Sequence, residues 1–184
     1  MNISNKLTIS RIGIAFLLIW FLFIPDFFAK VAAFILFILA CLTDFLDGWI
    51  ARRRNEISDF GKIMDPVADK ILVLGIFLSC VELRLIPAWM VIIVMIREVV
   101  ITGMRFLGMR RGVVLAAENA GKHKTVFQMV TIFFLLLFLM LGEATCFLDI
   151  YRVIILFFMS IAVVFTLYSG FSFVWHNKEL LKSL

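Results

Sequence analysis

The sequence predicts an all-α integral membrane protein of six transmembrane helices, with its polar residues gathered on the cytosolic side. Three observations carry this. The chain of 184 residues is 64% hydrophobic and has a mean hydropathy of +1.09, well above the apolar share of a soluble domain. Its apolar runs are separated by turn and polar clusters at Pro25-Asp26, Glu82 to Pro87, Gly108 to Gly121 and Gly142 to Thr145. Its basic residues are unevenly placed, and that asymmetry sets an orientation.

The spans follow in order: Ile12–Pro25, Val31–Asp47, Ile63–Val81, Pro87–Leu107, Thr125–Gly142 and Arg152–Val174. Several have an uninterrupted apolar run shorter than the ~20 residues a span needs, so their charge-bearing ends must complete the helices. Helices two and three are therefore expected to project into the cytosol. The opening Asn5 to Arg11 reads as a short interfacial segment or a positive topology anchor. Pro66 is tolerated in a first helical turn, which predicts a helix start near Asp65. The first apolar run is read as a retained helix and not a signal peptide.

Fourteen of the eighteen Lys and Arg fall at Lys6 and Arg11, Arg52 to Lys70, Arg105 to Lys124, and Lys178 to Lys182. An even number of spans puts these four regions on one side, the cytosolic one. Length predicts a single domain over residues 1–184. A pI near 9.4 would fit nucleic-acid binding in a soluble chain. Here the cations flank spans and form no soluble basic face, so no nucleic acid is expected. Cys41, Cys80 and Cys146 are odd in number and lack CxxC spacing. They offer neither a disulfide framework nor a zinc site.

The chemistry concentrates between Asp44 and Asp69. Asp44 and Asp47 are three apart, and Asp65 and Asp69 four apart, so each pair shares one helix face. Ionised groups near bilayer depth are expensive and read as functional. Two acidic faces brought together make an oxygen cage suited to hard divalent cations, Mg²⁺ or Mn²⁺. Gly48, Ala51 and Gly61 leave room for a ligand against the helices, or for close helix packing. Arg52 can pair with a phosphate or with an aspartate. Structural ion pairs of the aspartates with Arg52, Arg53 or Arg97 are the plain alternative.

This stretch resembles the signature of the CDP-alcohol phosphatidyltransferase family, D-x2-D-G-x2-A-R-x8-G-x3-D-x3-D. Asp44, Asp47, Gly48, Ala51, Arg52, Gly61, Asp65 and Asp69 match every fixed position. The resemblance implies that Asp44, Asp47 and Asp65, with Asp69 beside them, hold the metals, two ions in number. It implies that Asp69 is the general base and that Gly48, Ala51, Arg52, Gly61 and Thr8 bind CDP-diacylglycerol. It also implies a homodimer and a membrane location, here a bacterial inner membrane with the active site facing the cytoplasm.

Three softer stretches resemble the branch of that family whose acceptor is glycerol 3-phosphate: Asn5-Lys-Leu-Thr8-x2-Arg11, Arg97-Glu98 through Arg105, and Gly121-Lys-His-Lys124-Thr125-x2-Gln128. Arg105, Arg110, Lys122 and Lys124 are then the cations for the acceptor phosphate, or else only a topology signal. Arg97 and Glu98 are expected to form an internal ion pair with neighbouring helices, and His123 to lie in a loop. Another acceptor (phosphatidylglycerol, inositol phosphate or serine) keeps the same chemistry. A divalent-cation transporter would need the carboxylates at midplane between broken helices.

Overall fold

A computed structural model of the chain describes residues 3–54, 59–110, 119–141 and 148–178. Within these, side chains are described except at 3–7, 45–54, 59–63, 65, 109–110, 119–123 and 148–149. The described residues form six helices: α1 (Ile3–Phe23), α2 (Phe27–Arg54), α3 (Asp59–Glu82), α4 (Ala88–Arg110), α5 (Asn119–Leu141) and α6 (Leu148–His176). Three carry stretches long and apolar enough to cross a membrane: Phe27–Asp44, Lys124–Leu141 and Ile150–His176. In α3 Asp65, Asp69 and Lys70, and in α4 Arg97, Glu98 and Arg105, dilute the apolar run. A membrane protein fits this pattern. Phe16, Trp20, Phe28, Phe157, Phe171 and Trp175 are all strongly exposed, and so many bare aromatics call for an apolar surrounding.

Every helix outruns its apolar stretch. The segment Asn5 to Arg11 is not a separate interfacial element but the first turns of α1. Helix α3 begins at Asp59, so Pro66 sits inside it and not in its first turn. Its ring removes one backbone donor there. His123 lies on α5, not in a loop. In each case the helix continues beyond its apolar run into polar turns that hydropathy does not register.

Packing is set by small-residue and heptad-like stripes. In α1 the buried positions are Thr8, Arg11, Ala15, Leu18 and Leu22, and in α2 Ala29, Ala33, Phe37 and Ala40. Spacings of three and four keep each set on one face, and alanines let the two backbones approach. Helix α1 packs on α2 and α3, α5 on α6, and α4 on α6; α3 also meets α4 and α5. The apolar core joins Leu18 and Leu22 to Ile76, Phe77, Ile132, Leu136 and Met159. Gly75 allows α1 and α3 to close, since a Cβ there would lie 2.5 Å from Ile19 Cδ1.

Two turns are chemically defined. Asp26 caps α2, its Oδ2 accepting from the Ala29 amide at 3.2 Å, while the Lys30 ammonium donates to the Leu22 carbonyl at the end of α1. Helix α3 closes with the Leu85 amide on the Cys80 carbonyl and the Arg84 amide on Val81, both 2.9 Å. That pattern needs a left-handed residue after the helix, and Arg84 supplies it at φ 58°.

Candidate active site

The inward stripes change character toward one end of the bundle. Along α1 they run from leucines to Arg11 and Thr8, along α4 from Val94 to Glu98, and along α5 from Leu135 through Thr131 and Gln128 to Lys124. Antiparallel order brings the N-terminal parts of α1, α3 and α5 to the same end as the C-terminal parts of α2, α4 and α6.

On one side of this polar end stands Arg11, whose side chain is only 1% exposed. Its Nη1 lies 2.7 Å from Asp44 Oδ1 and 3.0 Å from Asp69 Oδ1. Asp44 is the next inward position after Ala40 on α2, and Asp69 comes from the third turn of α3. The two carboxylates are 51% and 49% exposed. A buried guanidinium thus forms the floor, and two half-open carboxylates stand above it. Thr8, one turn before Arg11, is fully buried.

Asp47, Gly48, Ala51 and Arg52 lie on α2, and Gly61 and Asp65 on α3. Their side chains fall outside the described residues. Among the described residues no three metal-ligating side chains stand together. The donor chemistry nevertheless fits a hard cation: carboxylate oxygens, from two helices, open to solvent on one side.

On the other side Glu98 is the hub. Its Oε1 accepts from Arg97 Nη1 at 3.2 Å and from the Lys124 ammonium. Arg97 Nη2 donates to Ser169 Oγ at 2.6 Å. Gly170 makes room for this, because a Cβ there would sit 3.2 Å from Arg97 Cγ. Gln128 Nε2 reaches Thr166 Oγ1 at 3.5 Å. The internal ion pair expected of Arg97 and Glu98 is present, with α5 and α6 completing it.

Of the expected acceptor-site cations, Lys124 is buried on Glu98 and Arg105 is exposed, its guanidinium 5.6 Å from the Phe173 ring centre. Arg110 ends α4 and Lys122 lies on α5, with side chains outside the described residues. Lys70 follows Asp69 on α3 and is partly buried, within electrostatic reach of both Asp69 and Glu98. A groove at the opposite end, lined by Arg84, Pro87, Arg152 and Leu156, holds none of the aspartates.

Arg11, expected only as a topology anchor and as part of the branch-like opening, and Lys70, expected only as a topology signal, both belong with the site. For Arg11 a signal did exist: it shares the three-and-four spacing of the buried α1 stripe, where a charge has no reason to sit unless it meets a partner.

The likeness to known proteins follows the same residues. The family model for CDP-alcohol phosphatidyltransferase matches residues 1–170. A CDP-diacylglycerol–glycerol-3-phosphate 3-phosphatidyltransferase of Bacillus subtilis (strain 168) is 36% identical over 196 aligned positions, covering 99% of this chain and 98% of the relative. A protein of the same name from Rickettsia typhi (strain ATCC VR-144 / Wilmington) is 35% identical over 92% of this chain and 95% of its own length. A probable phosphatidylglycerophosphate synthase of Mycobacterium tuberculosis (strain CDC 1551 / Oshkosh) is 34% identical over 71% of this chain. With the match running from the first residue through the aspartate helices and into α6, the chain belongs to the CDP-alcohol phosphatidyltransferase family.

Proposed function

We propose that the protein transfers the phosphatidyl group of CDP-diacylglycerol to glycerol 3-phosphate, releasing CMP and leaving phosphatidylglycerol phosphate in the bilayer. The observation that carries this is the meeting of Asp44 and Asp69, from two helices of the signature, over one buried guanidinium at the polar end of the bundle. The names of the full-length relatives support the acceptor.

In this reading all six helices span the membrane, α3 and α4 turning their charges inward. Residues 1–184 act as one domain and assemble as a homodimer. The polar end faces the cytoplasm of a bacterial inner membrane, as the four basic regions direct. Asp44, Asp47, Asp65 and Asp69 hold divalent cations, Mg²⁺ or Mn²⁺. When bound, such ions neutralise diphosphate charge and favour departure of the nucleotide.

The chain's own residues do the rest. Gly48, Ala51 and Gly61 leave α2 and α3 open to the cytidine diphosphate, Arg52 pairs with it, and Thr8 stands below. The acyl chains stay in lipid. Arg105, Arg110, Lys122 and Lys124 attract the acceptor phosphate, and Lys70 carries that positive field toward Asp69. Asp69 takes the proton of the sn-1 hydroxyl as the oxygen attacks the β-phosphorus. The new P–O bond forms as the bond to CMP breaks. Glu98 has three cations around it, Lys124, Arg97 and Lys70, a local excess of positive charge that suits a phosphorylated acceptor over a neutral one.

The test is CMP release by the purified protein in detergent with CDP-diacylglycerol and Mg²⁺. Glycerol 3-phosphate is compared with phosphatidylglycerol, inositol phosphate and serine. Release should require glycerol 3-phosphate and vanish in Asp65→Asn. Full turnover by Asp69→Asn would remove the base assignment. Release with a different acceptor would overturn the reading of the cation cluster.

A further inference from the structure

We propose that Arg11 is the resident counter-cation of the carboxylate site: it holds Asp44 and Asp69 together when no divalent ion is bound and competes with that ion for the same two oxygens. The inference rests on the metal reading above and adds a residue that the aspartate signature does not contain.

One nitrogen, Nη1, contacts both Oδ1 atoms, and bonds of 2.7 and 3.0 Å bound the separation of those oxygens to 5.7 Å. Two carboxylates so close on separate helices repel each other unless a cation stands between them. The guanidinium is that cation, and it is fixed. It lies at the second buried position of the α1 stripe, one turn after Thr8, and is closed off from solvent. The carboxylates are half exposed, so an ion approaches from the open side toward oxygens already engaged from below. Any ion that bridges both oxygens comes close to Nη1, where like charges repel. The guanidinium thereby lowers affinity for the ion and, in exchange, keeps the empty site assembled. Arg11 is a positioning residue in this scheme, acting through the two aspartates.

The experiment is Mn²⁺ binding to the purified full chain in detergent, read from the paramagnetic resonance of free Mn²⁺. Thermal unfolding with and without the ion runs in parallel. Neutral variants Arg11→Met and Arg11→Gln should bind Mn²⁺ more tightly, by roughly tenfold for the loss of one unit charge beside the ion. They should also unfold at lower temperature in chelator and gain more from added Mn²⁺ than the parent. Arg11→Lys, which keeps the charge, should bind like the parent. Unchanged or weaker binding in the folded neutral variants overturns the proposal.

A second reading, made on the parent with Arg11→Lys used only for assignment, comes from guanidino-¹⁵N arginine spectra. The resonance missing from Arg11→Lys must shift on titration with Mg²⁺, and a fixed resonance is equally fatal. If the parent binds no Mn²⁺ that Asp44→Asn abolishes, the metal reading itself falls. If that binding is present but indifferent to Arg11, only the counter-cation role falls.

Discussion

Glu98→Gln tests whether the cation cluster is an integral part of the fold. The Glu98 side chain is 10% exposed, between Arg97 at 13% and Lys124 at 6%. Gln keeps the shape and one acceptor oxygen but removes the only carboxylate that either cation meets among the described residues. Two buried cations are then left uncompensated, with Lys70 and Arg105 adding to the same field. Removing one partner of a buried pair costs about 3–5 kcal/mol. At roughly 2–4 °C per kcal/mol for a chain of this size, the unfolding midpoint should fall by about 10 °C. The assay is thermal unfolding of the detergent-solubilised protein followed by tryptophan fluorescence. Glycerol 3-phosphate, whose charge would replace the lost carboxylate, should restore more stability to the variant than it gives the parent. A midpoint shift under about 2 °C would refute the reasoning, because it would mean that water already screens the cluster.

Other substitutions probe separate features. Arg84→Gly should stabilise the protein by about 1 kcal/mol, since glycine adopts the left-handed conformation at the end of α3 without a Cβ penalty; a loss of stability in denaturant titration would contradict that. Gly75→Ala should be nearly neutral, because the atom it meets is the free end of Ile19 and alanine favours helix by about 1 kcal/mol. Gly75→Leu should separate α1 from α3 and cost about 1–3 kcal/mol through overpacking, measured by the same unfolding assay. Lys124→Met should raise KM for glycerol 3-phosphate at least about tenfold, the worth of one charge-assisted hydrogen bond, and leave KM for CDP-diacylglycerol unchanged in CMP-release kinetics.

The aspartate motif was legible because its spacing is a property of single helices. Asp44, Asp47, Asp65 and Asp69 announce two faces whatever the helices pack against. Partners were not legible in the same way. Arg11 is 33 residues from Asp44 and 58 from Asp69, and nothing in local sequence says which helices touch. The Arg97–Glu98 pair could be anticipated, being adjacent and set in apolar surroundings. Its completion by Lys124 and Ser169 required knowing that α4 and α5 both pack with α6 or its neighbours. Lys124 illustrates the difficulty: a cation after a polar loop reads as solvent-facing, yet its stem continues the buried stripe of Gln128 and Thr131. Helix ends were underestimated for a related reason. Hydropathy registers apolar runs, whereas Thr8 and Arg11 continue α1 as polar residues buried against protein.

The capped turn between α1 and α2 has a consequence for how the molecule is built during synthesis. Asp26 and Lys30 close both helix ends within a few residues, and α1 is the helix on which α2 packs most extensively among the described residues. This hairpin can form as soon as residue 54 has left the ribosome, before α3 exists. Chains fold from the N-terminus as they are made, and contacts between neighbouring helices close the smallest loops. Arg11 and Asp44 already face each other at the open end of that hairpin. Half of the carboxylate site is therefore assembled and charge-balanced while the other half is still being translated, and the arrival of α3 has only to insert Asp69 against an arginine already in place.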